Sequence, residues 1–263
     1  MKTAANGIEI DYRTDGREGA PWITFITGIT NNVSMWDAHV AALARDFRLL
    51  RYDSRGHGGT TATAPPYTLD RLAADTVGLW DALGVEKSYL VGIGLGGMTA
   101  MTVALARPDR VAGLVPVACR AALTPDYKAI WPPVIEIAGR DGVEGIVERT
   151  VERWFPEPFR AAHPDVMDRV RAMIRTTSLD GYLGCIAALL GLDLQHRLGE
   201  LRLPVLFVSG ALDRLGGPPM VMQEMCDLVL GARHVTLPEA GHICTIANPE
   251  AFDAALLGFL APG

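Results

Sequence analysis

The stretch Val91-Gly92-Ile93-Gly94-Leu95-Gly96-Gly97-Met98 constrains this chain more than any other. Before it, Lys87-Ser88-Tyr89-Leu90-Val91 reads as a short buried strand. After it, Met98 to Ala106 is rich in small residues and reads as a helix. A glycine-laced turn between strand and helix lets the backbone take conformations that other residues resist. It marks a βα unit, and repeated βα units imply a parallel sheet covered on both faces with right-handed crossovers.

The rest of the chain extends that pattern. Ile8–Tyr12 alternates like a half-buried edge strand, and Trp22–Thr27 and Phe47–Tyr52 read as stronger strands. Ser34 reads as the N-cap of a helix carrying Trp36, Val40, Leu43 and Ala44. Asp70–Leu83 reads as a helix closed by Gly84. Strands are expected at Val111–Val117, Val205–Ser209 and Arg233–Leu237, and helices from Pro219 and from Pro249 to Leu260. Between residues 121 and 199 the pattern is mostly helical, broken by prolines and enriched in aromatics, among them Trp131, Trp154, Phe155 and Phe159. The expected organisation is a core of residues 1–120 and 200–263 with a helical lid at 121–199.

With 263 residues the chain can bury one substantial core. A net charge of −6 gives no reason to expect nucleic acid or an anionic membrane as partner. No apolar run approaches the ~18 residues of a membrane span. The N-terminus lacks the apolar core of a signal peptide. The four cysteines, Cys119, Cys185, Cys226 and Cys244, lack metal-ligand spacing and read as free thiols of a cytoplasmic protein. No cofactor or metal is expected, and the partner is a small-molecule substrate, with homo-oligomerisation left open.

In an open parallel sheet, ligands bind outside the carboxyl ends of the strands. The loops after Thr27, at the glycine turn, at Asp213 and at His242 all fall there. The turn has the frame of a G-x-S-x-G nucleophile elbow, with Gly92 and Gly96 in place and Gly94 where the serine belongs. Elbow, acid and histidine follow in the chain order of the triad built on this fold. Gly92-x-Gly94-x-x-Gly97 also satisfies a dinucleotide fingerprint, but it falls far from the first βα unit, and no acidic residue ends a strand about 20 residues on. That reading is rejected.

Across nearly its whole length the chain resembles an α/β-hydrolase of the 3-oxoadipate enol-lactonase type. The matching residues are Ser34-Met35-Trp36, Arg51 to Gly58, the elbow, Ser209 to Asp213, and Gly241-His242-Ile243. The resemblance implies Asp213 as triad acid, His242 as base, and the backbone N–H groups of Ile29 and Leu95 as oxyanion hole. It implies a small ester or lactone, by analogy an enol-lactone from aromatic breakdown, as substrate. Thr27-Gly28 stands where the family more often has His-Gly or Asn-Ser. The Asp53 to Gly58 loop, His57 included, is expected to brace the site floor.

Gly28, Arg120 and Trp131 are candidate pocket residues. Arg120 reads either as a partner for a substrate carboxylate or as an ordinary lid contact, and Trp131 either as pocket wall or as lid core. Cys119 reads as a small buried residue rather than a substitute nucleophile. Glycine at position 94 admits a hydrolase silenced at its nucleophile, an enzyme of another class using His242 and Asp213 as a general base, or a non-catalytic binding protein. The silenced hydrolase is preferred, because acid, base and both elbow glycines are all retained.

Overall fold

Along the strand at the centre of the sheet, neighbouring side chains face opposite ways. Thr24 accepts from the indole Nε1 of Trp80 at 2.8 Å on one face, while on the other Phe25 packs on Trp36 with ring centroids 4.9 Å apart. Trp36 and Trp80 are both fully buried. Burying an aromatic of this size stabilises the fold by about 1.5–3 kcal/mol, so one strand anchors a helical layer on each side of the sheet.

The computed structural model describes residues 1–261; Pro262 and Gly263, assigned to the core by the sequence reading, lie outside the described residues. The strands are β1 (Lys2–Ala5), β2 (Ile8–Gly16), β3 (Trp22–Ile26), β4 (Arg48–Tyr52), β5 (Ser88–Ile93), β6 (Val111–Val117), β7 (Leu206–Gly210) and β8 (Arg233–Leu237). They form an 8-stranded sheet in the order β1-β2-β4-β3-β5-β6-β7-β8. β2 runs antiparallel to β1 and β4, and the remaining pairs are parallel. This is the α/β-hydrolase architecture that the sequence implies. The first strand was not foreseen: Asn6 and Gly7, with φ of 46° and 75°, turn β1 into β2. Positive φ at both central positions suits a tight hairpin.

Helix α1 (Leu69–Leu83) begins where the Thr68 side chain accepts from the Arg71 N–H and ends at left-handed Gly84. It packs on α2 (Leu95–Ala106), whose length is almost wholly buried. The segment after β3 differs from expectation. Asn32, not Ser34, is the cap, and it opens a 3-10 helix, Val33–His39, that passes into a single turn of α-helix, Val40–Leu43. The Ser34 N–H and hydroxyl both donate to Asn32 Oδ1, so Ser34 is capped rather than capping.

Between β6 and β7 the longer helices are α3 (Trp131–Asp141), α4 (Val147–Trp154), α5 (Pro164–Arg175) and α6 (Leu179–Leu190). α7 (Pro219–Asp227) and α8 (Pro249–Leu260) complete the covering layers, and Phe252 of α8 lies 6.2 Å from Trp36. No described helix is long and apolar enough to cross a membrane.

Candidate active site

The chain runs from β3 outward to β4, then crosses back to pair β5 on the other side of β3. That reversal is a topological switch point, and the loops leaving β3 and β5 diverge there to open a crevice. Residues 27–31 leave β3, and Gly94 stands between β5 and α2.

Gly94 has φ 54° and ψ −119°, a conformation that costs an L-residue about 1–3 kcal/mol. The turn is tight because β5 and α2 nearly touch: a Cβ on Gly92 would lie 2.2 Å from the Gly96 carbonyl oxygen. A Cβ on Gly94, by contrast, would meet only the His242 ring, 3.6 Å from Nε2 and 3.8 Å from Cε1. Position 94 therefore aims its missing side chain at the imidazole with room to spare.

His242 follows β8 and is held from two sides. Its backbone N–H donates to the Trp154 carbonyl of α4 at 2.9 Å. Its Nδ1 lies 3.0 Å from Asp213 Oδ2. Asp213 also accepts from the N–H groups of Leu215 and Gly216 at 2.9 Å and of Gly217 at 2.8 Å. Burial alone would raise the Asp213 pKa; the His242 ring and these backbone donors outweigh it and hold the carboxyl at about 2. An ionised carboxylate only accepts, so Nδ1 donates to it, and Nε2 is the ring nitrogen that faces position 94. Such a pair can take a proton from a group placed at position 94.

Ile29 and Leu95 line the same space from opposite sides of the crevice, one in the loop after β3 and one at the start of α2. Leu95 starts α2, where helical N–H groups lack internal partners. Ile29 lies in the loop opposite, and neither N–H has a hydrogen-bond partner among the described residues. That loop is fixed by His57. Thr30, at φ 62°, donates its N–H to His57 Nε2 at 3.0 Å, while Nδ1 donates to the Arg55 carbonyl at 3.0 Å. Burial lowers the His57 pKa to about 4, so the ring is neutral and able to accept. Arg55 is itself paired with Asp75 in full burial.

Gly28, Ile29, Gly94, Leu95, Trp131 and His242 all line one cavity, with Asp213 behind the histidine. Arg120 does not line it, which corrects the sequence reading. Its Nε and Nη2 donate to the Leu215 carbonyl at 3.1 and 2.7 Å, and its guanidinium stacks 4.4 Å over Tyr127. A guanidinium engaged in this way braces the loop carrying Asp213 and is not free for a ligand. Cys119 is fully buried outside the lining, and burial pushes its thiol pKa up. Ser209 Oγ lies 2.8 Å from His234 Nε2, but Ser209 is fully buried in β7 and neither residue lines the cavity.

Sequence reasoning missed Asn31, Tyr127 and Arg153, which also line the cavity. Asn31 could have been found, two residues beyond Ile29 in the same loop. Nothing in the sequence separates Arg153 from the other arginines of its segment.

The alpha/beta hydrolase family model matches residues 25–255. The 3-oxoadipate enol-lactonase 2 of Acinetobacter baylyi is 29% identical, over 96% of this chain and 93% of its own. The crystal structure of the enol-lactonase from Burkholderia xenovorans superposes with a TM-score of 0.94 at 32% identity, covering 99% of each chain. That of a hydrolase from Pseudomonas aeruginosa also gives 0.94, at 34% identity over 100% of this chain and 98% of the other. The protein belongs to the α/β-hydrolase family.

Proposed function

We propose that this site is that of a Ser-His-Asp hydrolase for a small ester or lactone, with glycine in the nucleophile's place. As it stands the chain forms no acyl-enzyme through residue 94. The observation that carries the reading is the open space from Gly94 toward His242 Nε2, 3.6 Å from a Cβ built there. A hydroxyl at 94 would give its proton to Nε2 as its oxygen attacked the substrate carbonyl carbon. Asp213 would hold the resulting imidazolium, and the Ile29 and Leu95 N–H groups would receive the developing oxyanion. The imidazolium would return the proton to the leaving oxygen, and water would repeat the sequence to release the acid. The helical segment 121–199 is the lid over this chemistry, with Trp131 as a wall. Enol-lactones are the favoured substrates, by analogy with the relatives.

Losing the nucleophile of such a triad costs on the order of 10⁶ in turnover. A Gly94→Ser protein is therefore expected to hydrolyse a chromogenic acetate ester and an enol-lactone at least ~10³-fold faster than the glycine form. A His242→Ala change in the serine form should erase the gain. A serine form no faster than the glycine form would overturn the reading, as would a glycine form whose turnover depends on His242.

A further inference from the structure

Helix α6 begins against the loop of residues 53–58 and reaches the cavity at Leu189, which is part of the lining. Its N-cap, Ser178, bonds in two directions. The hydroxyl accepts from the Gly181 N–H at 3.0 Å, as a helix cap does. The Ser178 N–H and the same hydroxyl both donate to the Gly56 carbonyl, each at 2.9 Å. Glycine on both sides permits that approach. A Cβ on Gly56, which has φ 76°, would lie 2.3 Å from Gly181 Cα, and one on Gly181 would lie 2.4 Å from the Gly56 carbonyl oxygen. The segment 121–199 thus rests on the 53–58 loop backbone to backbone.

The Gly56 carbonyl shares a rigid peptide plane with the His57 N–H. That N–H donates to the Ser54 carbonyl at 2.9 Å, so the plane is pinned at both ends, by Ser178 and by Ser54. The plane sets the direction in which the His57 side chain leaves the loop. His57 Nε2 accepts the Thr30 N–H at 3.0 Å, and that N–H shares its own plane with the Ile29 carbonyl, which accepts the Thr30 hydroxyl at 2.6 Å. The Ile29 N–H lies one peptide earlier in the chain. His57 and Thr30 are each 1% exposed, so bulk water replaces neither partner. A second tie runs from the far end of the same loop, where Asn32 Nδ2 donates to Thr176 Oγ1 at 3.2 Å.

We infer that Ser178 is a positioning residue: through Gly56 and His57 it fixes the loop that carries the Ile29 N–H. The helical segment must therefore be seated on Gly56 for that N–H to be aligned. Ser178 does not line the cavity, so it acts through other residues and touches no ligand. Its effect on turnover rests on reading the Ile29 N–H as an oxyanion donor, whereas its effect on the order of the loop can be measured without turnover.

Amide hydrogen exchange of the glycine protein, followed residue by residue by NMR, reads the loop directly. Ser178→Ala is expected to speed exchange of the Thr30 N–H at least ~10-fold, with Leu90 in β5 unchanged as the check that the fold is intact. Ser178→Thr, which keeps both donors, should restore most of the protection. Thr124→Ala is the control, because Thr124 caps another helix of the same segment by accepting the Tyr127 N–H at 3.3 Å. It should leave Thr30 exchange within ~2-fold. In the Gly94→Ser protein, adding Ser178→Ala should lower kcat at least ~10-fold while KM moves less than ~3-fold, since an oxyanion donor acts on the transition state. Unchanged Thr30 exchange in Ser178→Ala, equal speeding by Thr124→Ala, or a kcat that ignores Ser178 in an active Gly94→Ser protein would each overturn the inference. Exchange that follows Ser178, in a protein whose Gly94→Ser form never hydrolyses, would leave the positioning standing and sink the hydrolase reading. Hydrolysis by Gly94→Ser with both kcat and Thr30 exchange indifferent to Ser178 would do the reverse.

Discussion

Gly94 concentrates the protein's behaviour in one residue. Its φ of 54° with ψ of −119° is open to glycine and unfavourable to residues with a Cβ. Nothing else crowds the site, since a Cβ there would touch the His242 ring at ordinary contact distance. Backbone strain therefore governs the cost of a side chain. Gly94→Ser is expected to lower stability by about 1–3 kcal/mol, visible as a lower midpoint in thermal melts. A higher midpoint for the serine form would show that this conformation carries no strain. Gly216 presents the opposite case: a Cβ there would sit 2.0 Å from His242 Cε1, so the residue beside the imidazole has to remain glycine for the ring to stay where it is.

At the scale of elements, the site depends on loops that borrow rigidity from elsewhere. The loop after β3 takes it from His57, whose neutral Nε2 accepts the Thr30 N–H. That dependence makes stability sensitive to acid. The folded-state pKa of His57 is depressed to about 4 from an ordinary 6.5. The unfolded chain binds the proton first, so the contribution is whole above pH 6.5 and is lost as pH falls toward 4. The gap corresponds to about 3 kcal/mol. Urea unfolding at pH 7 and pH 4.5 should show this loss in the native protein. A His57→Leu protein, weaker at pH 7, should lose correspondingly less on acidification; equal losses in both would refute the assignment.

The same scale shows what could be read from the sequence. Strands β3, β6 and β8 and helices α1, α7 and α8 were legible within a residue or so, because each combines a clear period with a cap or a proline. β1 was missed although Asn6-Gly7 is a strong hairpin signal, because four residues of mixed polarity show no period of their own. Ser34 was misjudged because two residues, Asn32 and Ser34, could each cap that turn, and only the fold decides between them. Gly28, Ile29, Gly94, Leu95, Asp213 and His242 were named from the elbow frame, the chain order and the family resemblance, and all but Asp213 line the cavity. Arg120 and Arg153 could not be ranked by pattern. Which guanidinium stays free depends on the Leu215 carbonyl, a partner 95 residues away from Arg120.

For the whole molecule, the reversal of strand order between β3 and β5 opens the crevice, and the helices between β6 and β7 supply its far wall. α4 joins the two parts: its Trp154 carbonyl holds the His242 N–H, while Arg153 lines the cavity. Gly94, Ile29, Leu95 and the His242–Asp213 pair are thus brought together by elements spread from β3 to the loop after β8. We propose that this assembly is a hydrolase site lacking its attacking oxygen. Intact-mass spectrometry after treatment with a fluorophosphonate, which phosphonylates an activated serine, tests this. The Gly94→Ser protein should gain one phosphonyl group, mapped to residue 94 and prevented by His242→Ala, and the glycine protein should gain none. An unlabelled Gly94→Ser protein, or equal labelling of both forms, would contradict the claim.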